Sequence, residues 1–252
     1  MNKLKKPFLF AIALFPIAVL GGLFTCLYQF DLYSPEALEQ VTAQVGNREI
    51  LMLITILQTC GYAVVCGFIG YILAEKTGLM GSFKIEKSAL VKVLVITAVC
   101  GVLFSLDYWV FGNAEHLIQE GTEAGLTVQA IIASIFYGGV IEEVMLRLMA
   151  MSLVAFIIWK VFCRNKPKEE IPEVVFLLAN IITALLFAVG HIPATIMAFG
   201  ELTPLIVFRC LLLNGGLGLV FGLLYRKHGI QYAMISHMGV HIISKLIWLI
   251  FI

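Results

Sequence analysis

Residues 138–147, GGVIEEVMLR, set two adjacent carboxylates, Glu142 and Glu143, and a cation, Arg147, inside a long apolar run. The flanks, TVQAIIASIFY and LMAMSLVAFIIW, carry no charge. Ionisable groups at such depth cost at least about 2.5 kcal/mol each by insertion scales, and they face a protein interior or a water-filled cavity. Two neighbouring carboxylates repel, so one takes a proton or a cation. Arg147 follows Glu143 by four residues and shares its helical face. Residue 142 points about 100° away from 143. The spacing predicts one glutamate paired with Arg147 and one left free. A free carboxylate in such surroundings is a candidate general base.

Three histidines lie in other apolar runs. FAVGH sets His191 one turn after Phe187, and HMGVH puts His237 and His241 on one face. Ser244 and Lys245 continue that face, with Lys245 able to snorkel outward. A carboxylate can take a proton from water, and a neutral histidine can orient that water or protonate a leaving amine. A second histidine and its neighbour can donate hydrogen bonds to a developing oxyanion. The set suits amide hydrolysis. It also suits zinc, whose ligands would come from Glu142, His191, His237 and His241, although HMGVH lacks the Glu that follows the first His of HExxH. The plainer roles are a buried Glu–Arg ion pair and hydrogen-bonded interhelical histidines. Arg147 is expected to position a glutamate rather than to act on substrate. Gln58, Asp107, Asn180, Arg209 and Asn214 read as packing or helix-end residues, and Asp107-Tyr-Trp as an interfacial belt. Glycines 215, 216, 218 and 222 read as close helix packing.

The elements that must position these groups are membrane helices. The chain of 252 residues is 61% apolar and 13% charged, which excludes a soluble globular domain. Seven spans emerge, roughly 7–29, 49–73, 91–111, 126–162, 173–191, 204–225 and 230–252. The fold class is therefore all-α, a polytopic transmembrane bundle. The fourth span exceeds one perpendicular crossing, so either it tilts or its first part lies at the interface. The apolar run after the basic start continues to Phe30 without a small-residue cleavage site and reads as a retained first span. Lys3, Lys5 and Lys6, then Lys76, Lys84, Lys87 and Lys92, then Arg164, Lys166 and Lys168, then Arg226 and Lys227 mark alternate connections. Segments 30–48, 112–125 and 192–203 are acidic or neutral apart from Arg48. Positive residues favour the cytoplasm, which predicts a cytoplasmic N-terminus. No basic patch or motif indicates nucleic acid, and six scattered cysteines without a CxxC indicate neither a disulfide framework nor a thiolate zinc site. One membrane domain, 1–252, is the economical division, with three N-terminal spans in 1–125 and the motif-bearing core in 126–252.

Depth can be estimated from the loops. Glu142 and Glu143 lie 25 and 24 residues before Pro167, and His191 lies 24 after it. At about 1.5 Å rise per residue the two sites meet at similar depth. His237 lies about ten residues beyond Arg226–Lys227, or roughly 15 Å, which predicts a shallower position. Tilt, a re-entrant 192–203 segment or an interfacial start to the fifth span would be needed to close that gap.

EEVMLR matches EExxxR, FAVGH matches FxxxH, and HMGVH approximates Hxxx(N/D). In that order on separate apolar spans, over about residues 126–245, they resemble the CPBP family. This group holds CAAX-type prenyl endopeptidases and bacteriocin-processing or self-immunity membrane proteases, also called Abi. The resemblance implies an intramembrane endopeptidase in which Glu142 activates water with help from His191. Glu143 and Arg147 would support the site, and His237 with His241 would stabilise the oxyanion. The family is grouped with metallopeptidases, so zinc is one implied cofactor; a metal-free glutamate mechanism is the other. His241 stands where the family usually has Asn or Asp, and Leu148 where many relatives have Gly. The expected substrate is a membrane-associated protein or peptide within the lipid bilayer. The basic N-terminus and small size fit a bacterial plasma-membrane protein. The alternative is a non-catalytic membrane scaffold or bacteriocin self-immunity protein that binds a partner such as a sensor kinase. A proton-coupled transporter ranks last, since no matched halves with broken helices are visible.

Overall fold

The structure, a computed structural model, describes residues 4–252. Lys3, one of the basic N-terminal residues counted above, lies outside the described residues. Among the described residues the chain is helical without strands. Seven helices are long and apolar enough to cross a membrane: Lys5–Leu32, Arg48–Thr77, Lys87–Val110, Val128–Phe162, Glu173–Phe199, Pro204–His228 and Ile230–Phe251. Large apolar side chains such as Leu57, Val95, Phe162, Leu185 and Ile250 stand exposed along them. Such a surface is stable against lipid and not against water. The chain is an integral membrane protein.

Span ends follow local chemistry. Asn47 starts the second span, its side chain accepting from Ile50 N at 2.8 Å, and Gly78 ends it at φ 77°. Left-handed backbone there suits only glycine at low cost. Thr127 and Thr203 cap the fourth and sixth spans by accepting from Ala130 N and Ile206 N. The turn from the sixth to the seventh span is Gly229 alone, at φ 108°. The fifth span runs past the expected end at 191 because the chain bends at His191 and restarts as Ile192–Phe199, with Pro193 in its first turn.

The fourth span is central and touches the first, second, fifth, sixth and seventh. Ile141, Val144 and Leu148 are fully buried in it. Small residues let the others close around it, as expected where lipid supplies no hydrophobic drive between helices. A Cβ on Gly70 of the second span would sit 2.9 Å from the Leu148 backbone. Gly101 of the third span faces Ile243 of the seventh, and Thr97 Oγ1 donates to Ser236 Oγ at 2.9 Å across the same seam. Gly222 of the sixth span faces Asn180, whose Nδ2 donates to Leu219 O at 3.0 Å. The packing role expected for glycines 218 and 222 is met, and Gly215 lies against Ala188, but nothing lies within 4 Å of a Cβ on Gly216.

Two features correct the depth estimate. Residues Ser134–Glu142 and Val144–Met151 wind with i→i+5 hydrogen bonds, a wider turn that advances less per residue and that recurs at functional sites. The basic loops also lie at different levels. Arg226 pairs with Glu173 at the start of the fifth span and covers the Phe176 ring at 4.0 Å. Tyr225 meets Ser152 at 2.9 Å, while the fourth span continues another ten residues to Phe162, about 15 Å further. Counting from the loops therefore gave them a false common origin, and the difference in level between the loops narrows the gap for His237.

Candidate active site

Glu143 anchors the site from inside the fourth span, fully buried. Its Oε1 lies 2.8 Å from His237 Nδ1 and 3.3 Å from Arg147 Nη1. Arg147 Nη2 donates to Gly218 O at 3.0 Å, and the guanidinium stacks over Phe187 at 4.6 Å and Phe221 at 5.6 Å. A buried guanidinium needs such partners, because its desolvation is otherwise uncompensated. The predicted i,i+4 pair is thus present, and it is extended to a third member from the seventh span.

His237 is held on every side. Its ring stacks on Phe221 at 4.5 Å and meets the edge of Phe187 at 5.9 Å. With Nδ1–H donating to Glu143, Nε2 faces the other carboxylate: Glu142 Oε2 is 4.0 Å away. Glu142 is the free glutamate, its side chain 18% exposed and lining a cavity of about 450 Å³. At that separation a single water set off the line joining Glu142 Oε2 and Nε2 would be within hydrogen-bond reach of both. Gly138 makes room for this. A Cβ there would lie 3.6 Å from His237 Nε2 and 3.7 Å from His241 Nε2, so the bare backbone keeps both ring nitrogens open.

His191 lines the same cavity from the bend in the fifth span. Its Nδ1 lies 2.8 Å from Phe187 O, and a carbonyl only accepts, so Nδ1 carries the proton and Nε2 is the free nitrogen. His241 lies 5.1 Å from His237 ring to ring and packs edge-on to Phe104 at 5.8 Å. All six residues singled out from the sequence come together. Glu143, Arg147 and His237 form one bonded chain, with Glu142 facing His237; His191 and His241 share the cavity with them. Among the described residues, no three His, Cys, Asp or Glu side chains form a group arranged to hold a metal ion. His237 Nδ1 is bonded to Glu143 and His191 Nδ1 to a backbone carbonyl, which leaves Nε2 of each unbonded, the nitrogen through which a histidine held in this way would bind a metal.

Sequence reasoning passed over part of the cavity. Asp107, read from the sequence as part of an interfacial belt, is 2% exposed and paired with Arg209 of the sixth span, whose Nε donates to Asp107 Oδ1 at 2.6 Å. Arg209 lines the cavity, as do Tyr137, Asn214 and Lys245. Lys245 does not snorkel to the lipid surface. Two opposite charges in separate apolar spans, and a lysine four residues after His241, were the available signals. The cavity runs from Glu142 to the end of the bundle that carries His116–Ala124 and Ile192–Phe199, and includes Thr122 and Phe199.

Residues 124–243 match the family model described as Type II CAAX prenyl endopeptidase Rce1-like. No curated protein and no solved structure matches the chain.

Proposed function

With residues 124–243 belonging to the Rce1-like family of type II CAAX prenyl endopeptidases, we propose that this membrane protein hydrolyses a peptide bond of a membrane-associated protein or peptide by a carboxylate-activated water. The family match supports a CAAX-protease-like intramembrane endopeptidase in general terms. The observation that carries the finer reading is the chain Arg147–Glu143–His237, which holds His237 Nε2 beside the cavity-facing Glu142. Glu142 takes the proton of a water bound between it and the histidines, and the hydroxide attacks the substrate carbonyl. His191, with Nε2 free, helps to orient that water. His237, used here as an imidazolium from the start of the cycle and back-bonded to Glu143, donates Nε2–H to the oxyanion without giving up the proton, and His241 adds a second donor. The proton on Glu142 then passes to the leaving amine. Glu143 and Arg147 act through His237 rather than on substrate. No step is routed through zinc, and the metal content of the purified protein tests that choice.

We further propose that the basic loop ends lie on the cytoplasmic side of a bacterial plasma membrane, in line with the positive-inside bias. Bacteriocin maturation is one candidate role within this activity. The second reading, a catalytically silent scaffold or self-immunity protein, draws on His241 standing where relatives carry Asn or Asp.

The test is a paired assay of wild-type and Glu142→Gln protein in lipid against a membrane-peptide library, with zinc measured in the same samples. Cleavage by wild type and a loss of about 10²-fold or more in the variant is the expected result. No cleavage by either folded protein sinks the protease and favours the scaffold. Stoichiometric zinc that disappears with His237→Ala overturns the metal-free mechanism.

A further inference from the structure

Beside the catalytic cavity lies a second one of about 290 Å³, walled by the first two spans and the short helix Pro35–Val45 that joins them. Among the described residues no charged side chain lines it, yet much of its wall is polar. Thr55 and Thr59 spend their hydroxyl protons on Leu51 O at 2.9 Å and Thr55 O at 2.8 Å, and keep lone pairs to accept. Thr25 Oγ1 is buried and has no hydrogen-bond partner among the described residues. Thr25, Gln29, Tyr33 and Tyr137 line this chamber and the catalytic cavity alike. The Tyr137 hydroxyl makes no hydrogen bond among the described residues. Glu142 follows Tyr137 by five residues, about one wide turn of the same helix. At the other end Leu38 and Val41 of Pro35–Val45 close over the chamber. Its depth is set by Thr59, 12 residues beyond Asn47 or about 18 Å along the second span, where Gly22 brings the first span against it.

We propose that this chamber is a water-binding site that feeds Glu142, a route for the reacting water separate from the one that substrate takes. The inference rests on the proteolytic reading above and adds the supply of its second reactant. Each turnover consumes one water. Its hydroxide joins the carbonyl carbon, the C–N bond breaks, and its other proton reaches the leaving amine through Glu142. A peptide seated at Glu142 occupies the cavity of about 450 Å³ and stands in the way of the next water from that side. The smaller chamber bypasses it. At about 30 Å³ each in the liquid, several waters fit there, and the wall supplies the polar partners that buried water needs. A lipid tail in the same space would leave Thr25 Oγ1 unpaired, which is costly, and an ion would find no counter-charge. Polar groups kept inside a membrane bundle mark pathways. The Tyr137 hydroxyl, both donor and acceptor, hands water from the Thr25 side to the Glu142 side.

The full-length protein in lipid is used throughout, with the fastest-cut member of the membrane-peptide library as substrate. Thr25→Val/Thr55→Val keeps the shape of the wall and removes two hydroxyls. Val41→Trp plugs the outer end at a residue that does not line the catalytic cavity. Each is expected to lower kcat about tenfold with KM unchanged, the loss of about one hydrogen bond to the water. Thr25→Ser, which keeps the hydroxyl, should retain the wild-type kcat. Thr25→Val alone should not lower stability in a denaturant titration, because that hydroxyl has no protein partner to lose. A rise in KM that accompanies the fall in kcat would assign the chamber to substrate and overturn the proposal. An unchanged kcat in both chamber variants overturns it as well. Radiolytic labelling of Glu142→Gln protein in heavy-oxygen water, read by mass spectrometry, separates these outcomes from failure of the protease reading, since it needs no cleavage. Phe30 and Met197 line the chamber and not the catalytic cavity. Their oxidation is expected, and should fall severalfold when Thr25→Val/Thr55→Val is added. That result supports the hydrated chamber even if nothing is cut. Unlabelled Phe30 and Met197, or labelling that the two substitutions leave unchanged, refutes it.

Discussion

Glu143 and Glu142 are neighbours in sequence with different surroundings, and that difference is the basis of the site. Glu143 is enclosed, and its Oε1 is shared by His237 and Arg147. Glu142 keeps access to the cavity. Removing one partner of a buried charge pair leaves the other uncompensated, whereas replacing both by apolar groups is often nearly neutral. Arg147→Met alone is therefore expected to destabilise the fold by about 3–5 kcal/mol in a denaturant titration in detergent, with Glu143→Leu/Arg147→Met recovering much of that loss. Both variants should lack activity, since His237 loses its support in each. Equal stability losses for single and double variants would remove the coupling on which the positioning role rests. Position 241 provides a milder test. His241→Asn, which brings HMGVH to the Hxxx(N/D) form that it approximates, should retain cleavage within about tenfold if the side chain serves as one hydrogen-bond donor. Complete loss would mean that the imidazole itself is required.

At the scale of the element, the wide turns of Ser134–Met151 bring Glu142, Glu143 and Gly138 to the seventh span together. Gly138 supplies the clearance for His237 and His241. A methyl group there makes only ordinary contact, so Gly138→Ala should fold and retain activity, while Gly138→Leu should fill the space before the two ring nitrogens and abolish cleavage. A fully active Gly138→Leu would show that the reacting water lies elsewhere. Between the fifth and sixth spans, a Cβ at Gly222 would lie 1.8 Å from Asn180 Oδ1. Gly222→Val is expected to break the Asn180–Leu219 hydrogen bond and to destabilise by roughly 1–3 kcal/mol, the range for overpacking a close contact. A stability equal to wild type would mean that the seam is looser than its geometry indicates.

For the whole molecule, the question is which end of the cavity meets substrate. Its lining reaches Thr122 and Phe199, while Arg226 and Lys227 end the sixth span at the opposite face. With the basic ends cytoplasmic, as proposed above, substrate would enter from the other side. After replacement of the native cysteines by Ala, Thr122→Cys should react with an impermeant thiol reagent on intact cells, and Lys227→Cys only after lysis. The reverse pattern would invert the orientation and direct the cavity to the cytoplasm.

The number of membrane spans and the identity of the polar residues were legible in the chain, because apolar run length and buried charge are local properties that no neighbour is needed to define. Each span overlaps the run that predicted it, although the fifth continues past 191 to Phe199, and the pairing of Glu143 with Arg147 followed from four-residue spacing alone. Depth and partnership were decided only by the tertiary structure. Loop residues do not lie at one level, and a helix of i→i+5 turns does not rise at the usual rate, so counting residues misjudged where His237 lies. Asp107 found Arg209 102 residues away, and Lys245 came to face the cavity rather than the lipid. Those outcomes depend on how helices rotate and stack against one another, which is fixed by contacts between spans and is not encoded within any single one.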